Sequence, residues 1–212
     1  MSEPKKFRRP ARLEPGVAEA LPGGVDPAVA WELAHSSAVA LVARARQTAP
    51  EDPELVERLV RLVDSEGVEA VATLWASAPA ESLPGALWRL YMLREWVRRD
   101  PETVALRYRL GMARQEVADA VAGAVHPPGP DEMRDLADTV LSGVFTGELD
   151  VALDRAAGFA RVVATGAGFD ADHLELTAPE VAGSVTRRAG SLVATADGLQ
   201  RAAAKWRAGT LE

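Results

Sequence analysis

Apolar residues recur along this chain at spacings of three and four and nowhere alternate with period two over a strand's length, so the pattern predicts helices throughout. The pattern is densest between Leu83 and Met112. On a helical wheel Leu83, Ala86, Leu87, Leu90, Leu93 and Val97 form one apolar stripe, and Trp88, Met92 and Trp96 form a second on the other side. A helix apolar on two faces is expected at the centre of a bundle, both faces packed. Arg94 falls inside the first stripe and must either snorkel past its neighbours or meet a carboxylate.

Three helices are expected before this one. Asp26 as N-cap with Pro27 at the first helical position opens a helix to about Gln47, with Trp31, Ala34, Ala38, Leu41, Val42 and Ala45 on one face. Asp52 and Pro53 repeat the signal for a second, striped by Leu55, Val56, Leu59, Leu62 and Val63, carrying Glu54/Arg58 and Glu57/Arg61 outside, and stopped by Gly67. Val68, Val71, Trp75 and Ala78 mark a third, ending near Pro79.

Four more follow. Asp100 and Pro101 open the fifth, whose face is Leu106, Leu110, Val117 and Val121. Pro127, Pro128 and Pro130 around Gly129 exclude helix and strand and suggest a hinge. Met133, Leu136, Ala137, Val140 and Val144 mark a sixth helix closed by Gly147; Leu149, Ala152, Leu153, Ala156, Ala160 and Val163 mark a seventh, with Gly166 to Asp172 read as loop. Thr177 and Glu180 have capping-box spacing and open the last helix. There Val185, Ala189, Leu192, Ala196, Leu199, Ala203 and Trp206 keep a strict 4,3 spacing in which large residues alternate with alanines, a seam that a partner helix can approach closely. The partner is either a helix of the same chain or a second molecule.

The expected fold is therefore all-α: about eight helices in a multi-helix bundle of two coupled layers, with a long C-terminal helix. Residues 1–24 hold four prolines and three glycines without apolar periodicity, and read as a disordered arm made basic by Lys5, Lys6, Arg8, Arg9 and Arg12. Residues 25–126 form an N-terminal helical bundle, 127–130 the hinge, and 131–212 the C-terminal helical region.

Composition narrows the chemistry. The 212 residues include no cysteine, which removes disulfides, thiolate metal sites and thiol nucleophiles and fits a reducing cytoplasm. No stretch approaches the roughly 18 uninterrupted apolar residues of a membrane span, so a soluble cytoplasmic protein is expected. Ala and Val richness, with Arg favoured over Lys, suits a GC-rich bacterial genome. The formal charge of −7 hides a gradient. Between Leu83 and Gln115 seven arginines stand against three acids, whereas between Asp131 and Glu180 eleven acids stand against three arginines.

Few constellations suggest catalysis. Glu32 and His35 form an E-x-x-H of the kind that di-iron carboxylate bundles use twice, together with two further glutamates; Asp170-Ala171-Asp172-His173 is the nearest approach to a second copy. The three histidines are dispersed, and no phosphate-loop glycine pattern occurs. No catalytic residue, metal ligand set or cofactor is assigned. The run Leu110-Gly111-Met112-Ala113-Arg114-Gln115-Glu116-Val117-Ala118-Asp119-Ala120-Val121-Ala122-Gly123 resembles the turn and recognition helix of bacterial helix-turn-helix repressors, with Gly111 at the turn, Met112 beside it and Val117 facing inward. The resemblance implies nucleic-acid binding through this segment.

Three functional readings follow, in order. The first is a non-enzymatic helical interaction or scaffold protein that binds another protein, or a second copy of itself, through helical surfaces such as the seam from Val185 to Trp206. The second is a nucleic-acid-binding protein using Lys5, Lys6, Arg8, Arg9, Arg107, Arg109 and Arg114. The third is a helical metal-carboxylate protein. The first two are told apart by whether the arginines share an exposed face or are paired with acids.

Overall fold

Helix α3 (Leu83–Arg99) packs against every other delimited helix of this computed structural model, in which residues 26–46, 54, 58, 61–62, 65–122, 127–143, 145 and 148–212 are described. The others are α1 (Pro27–Arg46), α2 (Val68–Trp75), α4 (Pro101–Ala122), α5 (Pro130–Leu141), α6 (Leu149–Glu175) and α7 (Pro179–Arg207). The described residues contain no strand, and the all-α expectation holds. Seven helices are delimited rather than eight: the missing one is the expected helix from Asp52, of which only positions 54, 58, 61–62 and 65–66 are described, all helical. The basic arm lies outside the described residues.

Around α3, α1 contacts α2 and α5, α4 packs along α6 of the long antiparallel pair α6 and α7, and α5 touches both α4 and α6. The first stripe of α3 explains its place, because Leu83, Ala86, Leu87, Leu90, Leu93 and Val97 are all buried. One hydrophobic cluster runs from Ala34 of α1 to Ala203 of α7 and includes Met133, Leu153 and Phe159, so it spans the proline run. That run is itself tied down: the Tyr108 hydroxyl donates to the Pro127 carbonyl at 2.9 Å, and the Tyr108 ring stacks on Phe159.

Starts and stops follow local chemistry. The Asp26 carboxylate accepts from the Ala28 N–H at 2.9 Å, as its N-cap position requires. Ser82 caps α3 by accepting from the Gly85 N–H at 3.2 Å, and Asp100 both ends α3 and accepts from the Thr103 N–H of α4 at 3.4 Å. The backbone N–H of Leu83, a first-turn donor without an intrahelical acceptor, is met by the Glu212 carbonyl at 2.6 Å. Gly67 and Gly143 take positive φ of 85° and 67°, which an L side chain rarely adopts. Gly143 follows the C-cap Ser142, so α5 ends at Leu141, ahead of Gly147; Gly67 is the N-cap of α2, which ends at Trp75, short of Ala78.

Four expectations are corrected. First, 166–172 is not loop: α6 runs unbroken to Glu175, and Gly166 is a contact residue inside it rather than a helix stop. Second, α4 is continuous through Gly111, as the expected fifth helix from Asp100 requires, so the turn that the helix-turn-helix resemblance would need is absent and Gly111 lies mid-helix. The two glycines have one role. A Cβ on Gly111 would stand 2.0 Å from the Val162 carbonyl oxygen, and one on Gly166 would stand 1.7 Å from the Arg107 carbonyl oxygen. The glycines let α4 and α6 cross backbone to backbone. Third, no capping box opens α7: Ala178 is its N-cap, and no side chain caps it. Fourth, the second stripe of α3 is the edge of the core rather than a buried face: Trp88 and Trp96 are half-buried and pack against the core, and Met92 is 47% exposed.

Candidate functional site

That second stripe forms one wall of a groove. At its lower end α3 is joined to the last turns of α7: Glu81, just before the Ser82 cap, pairs with Arg201 at 2.7 Å and Lys205 at 3.2 Å. One turn into α3, Arg89 passes over Gly198, where a Cβ would come within 3.1 Å of its Nε atom. Above this contact the two helices are separated by a cavity of about 650 Å³. Trp88, Met92, Leu93 and Trp96 line it from α3, and Val181, Val185, Leu192 and Thr195 line it from α7. Arg107 and Thr103 of α4, with Asp100, lie at its far end.

Each wall is a helical face. Trp88, Met92 and Trp96 recur every four residues, and Val181, Val185, Arg188, Leu192 and Thr195 alternate four and three. At 1.5 Å per residue the α7 wall is about 21 Å long, enough for about four turns of a third helix laid between the two. The groove stays open although its walls are apolar: Val181 is 52% and Met92 47% exposed. An open apolar groove of this volume with a few polar groups has the character of a binding site.

Charge in the groove is uneven. Arg107 is nearly buried and its guanidinium meets the Asp170 carboxylate at 3.0 Å, so its charge is neutralised within the fold. Arg89 donates to the Gly85 carbonyl at 2.8 Å, and its Nε is buried without a partner. Burial first, and the nearby Arg201 second, hold the Arg89 pKa below the usual arginine value.

The residues expected to contact nucleic acid are not brought together among the described residues. Lys5, Lys6, Arg8 and Arg9 lie outside the described set; Arg107 is consumed by Asp170; Arg109 is exposed; Arg114 is exposed and lies 4.4 Å from the centre of the Phe169 ring. Of the other arginines of this stretch, Arg94, Arg98 and Arg99 are held by carboxylates. Arg94 meets Asp138 of α5 and Glu95, the latter at 2.7 Å, which answers the demand its place in the stripe made; Arg98 and Arg99 share the same Glu95. The seam residues lie along α6 of the same chain, with Ala196, Leu199 and Ala203 wholly buried, Val185 buried, and Ala189, Leu192 and Trp206 half-buried. Arg161 with Asp197 at 2.8 Å and Arg207 with Asp150 at 2.7 Å lock the pair from outside.

Glu32 is exposed, and His35 is half-buried beside Trp31 with its Nδ1 unpartnered. No group of three His, Asp or Glu that could hold a metal ion occurs among the described residues. His173, on α6, has its Nδ1 2.7 Å from the Phe169 carbonyl. No described helix is long and apolar enough to cross a membrane.

Sequence reasoning placed Trp88, Met92 and Trp96 on one face but assigned that face to the core, and it overlooked Arg89, Val181 and Arg188. The spacing of Val181, Val185, Arg188 and Leu192 carried a signal, since it keeps a 4,3 pattern on a stripe that shares Val185 and Leu192 with the seam. Comparison with protein-family models, with curated proteins and with solved structures finds no match.

Proposed function

We propose that this chain is a non-enzymatic interaction protein of the bacterial cytoplasm that binds an amphipathic helix of another protein in the groove between α3 and α7. The observation that carries this reading is the pair of apolar helical faces, Trp88/Met92/Trp96 and Val181/Val185/Leu192, held apart with Met92 and Val181 about half exposed. Two such faces lack the third helix that would complete a knobs-into-holes contact, which is the arrangement used in helix-in-groove recognition. The cytoplasmic setting suits a chain without cysteine. Nucleic-acid binding is the weaker reading because Arg94, Arg98, Arg99 and Arg107 are already paired with acids.

A photoactivatable amino acid at position 92 tests the proposal in cells. The expected result is a defined adduct with a different protein, lost in Leu192→Glu. An adduct with a second copy of this chain would assign the groove to self-association and overturn the reading. So would labelling no stronger than from position 172, which is exposed on α6 outside the groove.

A further inference from the structure

The groove has an uncompensated cation at its closed end. Arg89 makes no ion pair among the described residues, and its one described hydrogen bond is to the Gly85 carbonyl. The nearby acid, Glu81, is shared by Arg201 and Lys205. Asp170 is engaged by Arg107, and Asp100 lies at the opposite end beside Thr103, whose N–H it accepts. A half-buried guanidinium without a carboxylate is costly, and the neighbouring Arg201 adds like charge. Gly198 is the position that makes room for it. A side chain kept there at such a cost, lining an apolar groove, is suited to meet an anion arriving with the occupant.

We infer that Arg89 anchors a carboxylate carried by the helix that occupies the groove, so that the partner segment is apolar along its length and acidic at the Arg89 end. This rests on the helix-in-groove reading. It explains why an arginine stands next to Trp88 at the one end of the groove where α3 and α7 close together.

Two dyes of the same shape separate the two claims: anilinonaphthalene sulfonate, whose sulfonate stands in for the carboxylate, and its uncharged parent phenylnaphthylamine. Titrated into the full chain and followed by fluorescence, the sulfonate is expected to bind about tenfold more tightly, the gain of one charge-assisted hydrogen bond. Met92→Glu is expected to lose the uncharged dye, which places binding in the groove. Arg89→Met should equalise the two dyes while leaving the uncharged one bound, whereas Arg109→Met should preserve the preference. If Arg89→Met fails to fold by circular dichroism, Arg89→Gln serves in its place. Equal affinity of the wild type for both dyes, or a preference that survives loss of Arg89, overturns the inference and leaves the groove reading standing. Failure of both dyes to bind removes the groove reading, and the inference with it.

Discussion

Gly111 and Gly166 set the distance at which α4 crosses α6. Because the atoms a Cβ would strike are backbone carbonyl oxygens at 2.0 and 1.7 Å, no side chain can swing aside to admit it. Gly166→Ala is expected to cost about 3 kcal/mol, the upper end for overpacking. Gly190 is also helical, yet a Cβ there meets nothing within 4 Å, so Gly190→Ala should stabilise by about 0.5 to 1 kcal/mol. Urea unfolding of the two variants decides this, and effects of equal sign would refute the close crossing. Trp75 is wholly buried and donates from its indole N–H to the Ser37 hydroxyl at 3.0 Å. Trp75→Ala is therefore expected to cost about 3 to 5 kcal/mol, whereas truncation of the half-buried Trp96 should cost clearly less. Asp170→Ala, which strands the buried Arg107, belongs with the severe group at about 3 to 5 kcal/mol, and Arg107→Met should be better tolerated. Thermal denaturation of the pair orders them.

At the scale of elements, the contact between the start of α3 and the end of α7 closes one end of the groove, and it depends on a carboxylate. Hydrogen bonds from Lys205 and Arg201, in that order, hold the Glu81 pKa below its ordinary 4.5. A carboxylate whose folded pKa is depressed contributes stability above its unfolded pKa and loses it as pH falls through the folded one. Wild type should therefore exceed Glu81→Gln in melting temperature near neutrality, with the gap closing below about pH 4.5. A gap that persists unchanged into acid would show that the amide disrupts the contact by some route other than charge. At the middle of the α6–α7 pair alanines let the two backbones approach and Leu199 is wholly buried, with Arg161 and Asp197 paired on the outside.

For the whole molecule, the long helices reach past the main core. Near the turn that joins them, Ala167, Ala171 and Val185 form a second, small cluster with Leu174 and Ala189 packed against it, separate from the principal one. Few buried contacts hold that end, so local opening should be easier there than beside Phe159. Hydrogen exchange is expected to show residues 171–190 losing protection well before 152–163, and uniform protection along α6 would refute the division. The same outer stretch of α7 supplies Val181 and Val185 to the groove, so occupancy of the groove should slow exchange in it.

Apolar spacing determined the helical class and the central place of the helix from Leu83, the Asp-Pro start determined the Asp26 cap, and the place of Arg94 in the stripe determined its need for an acid. Each of these depends on residues within a few turns of one another, or on a burial cost that any fold has to meet. Which acid serves Arg94 was decided by tertiary structure, because Asp138 sits on a helix whose docking the sequence does not encode locally. So was the meaning of the glycines. An isolated Gly lowers helix propensity whether it ends a helix or admits a neighbour's backbone, and only the crossing of α4 and α6 distinguishes the two at Gly111 and Gly166. The candidate site lies at the same boundary. The stripe Trp88, Met92 and Trp96 was legible as apolar, but spacing records which way a face points and not what stands opposite it. Gly198 and the Glu81 contact bring α7 against one end of that face and leave the rest uncovered, a consequence of packing between segments more than a hundred residues apart.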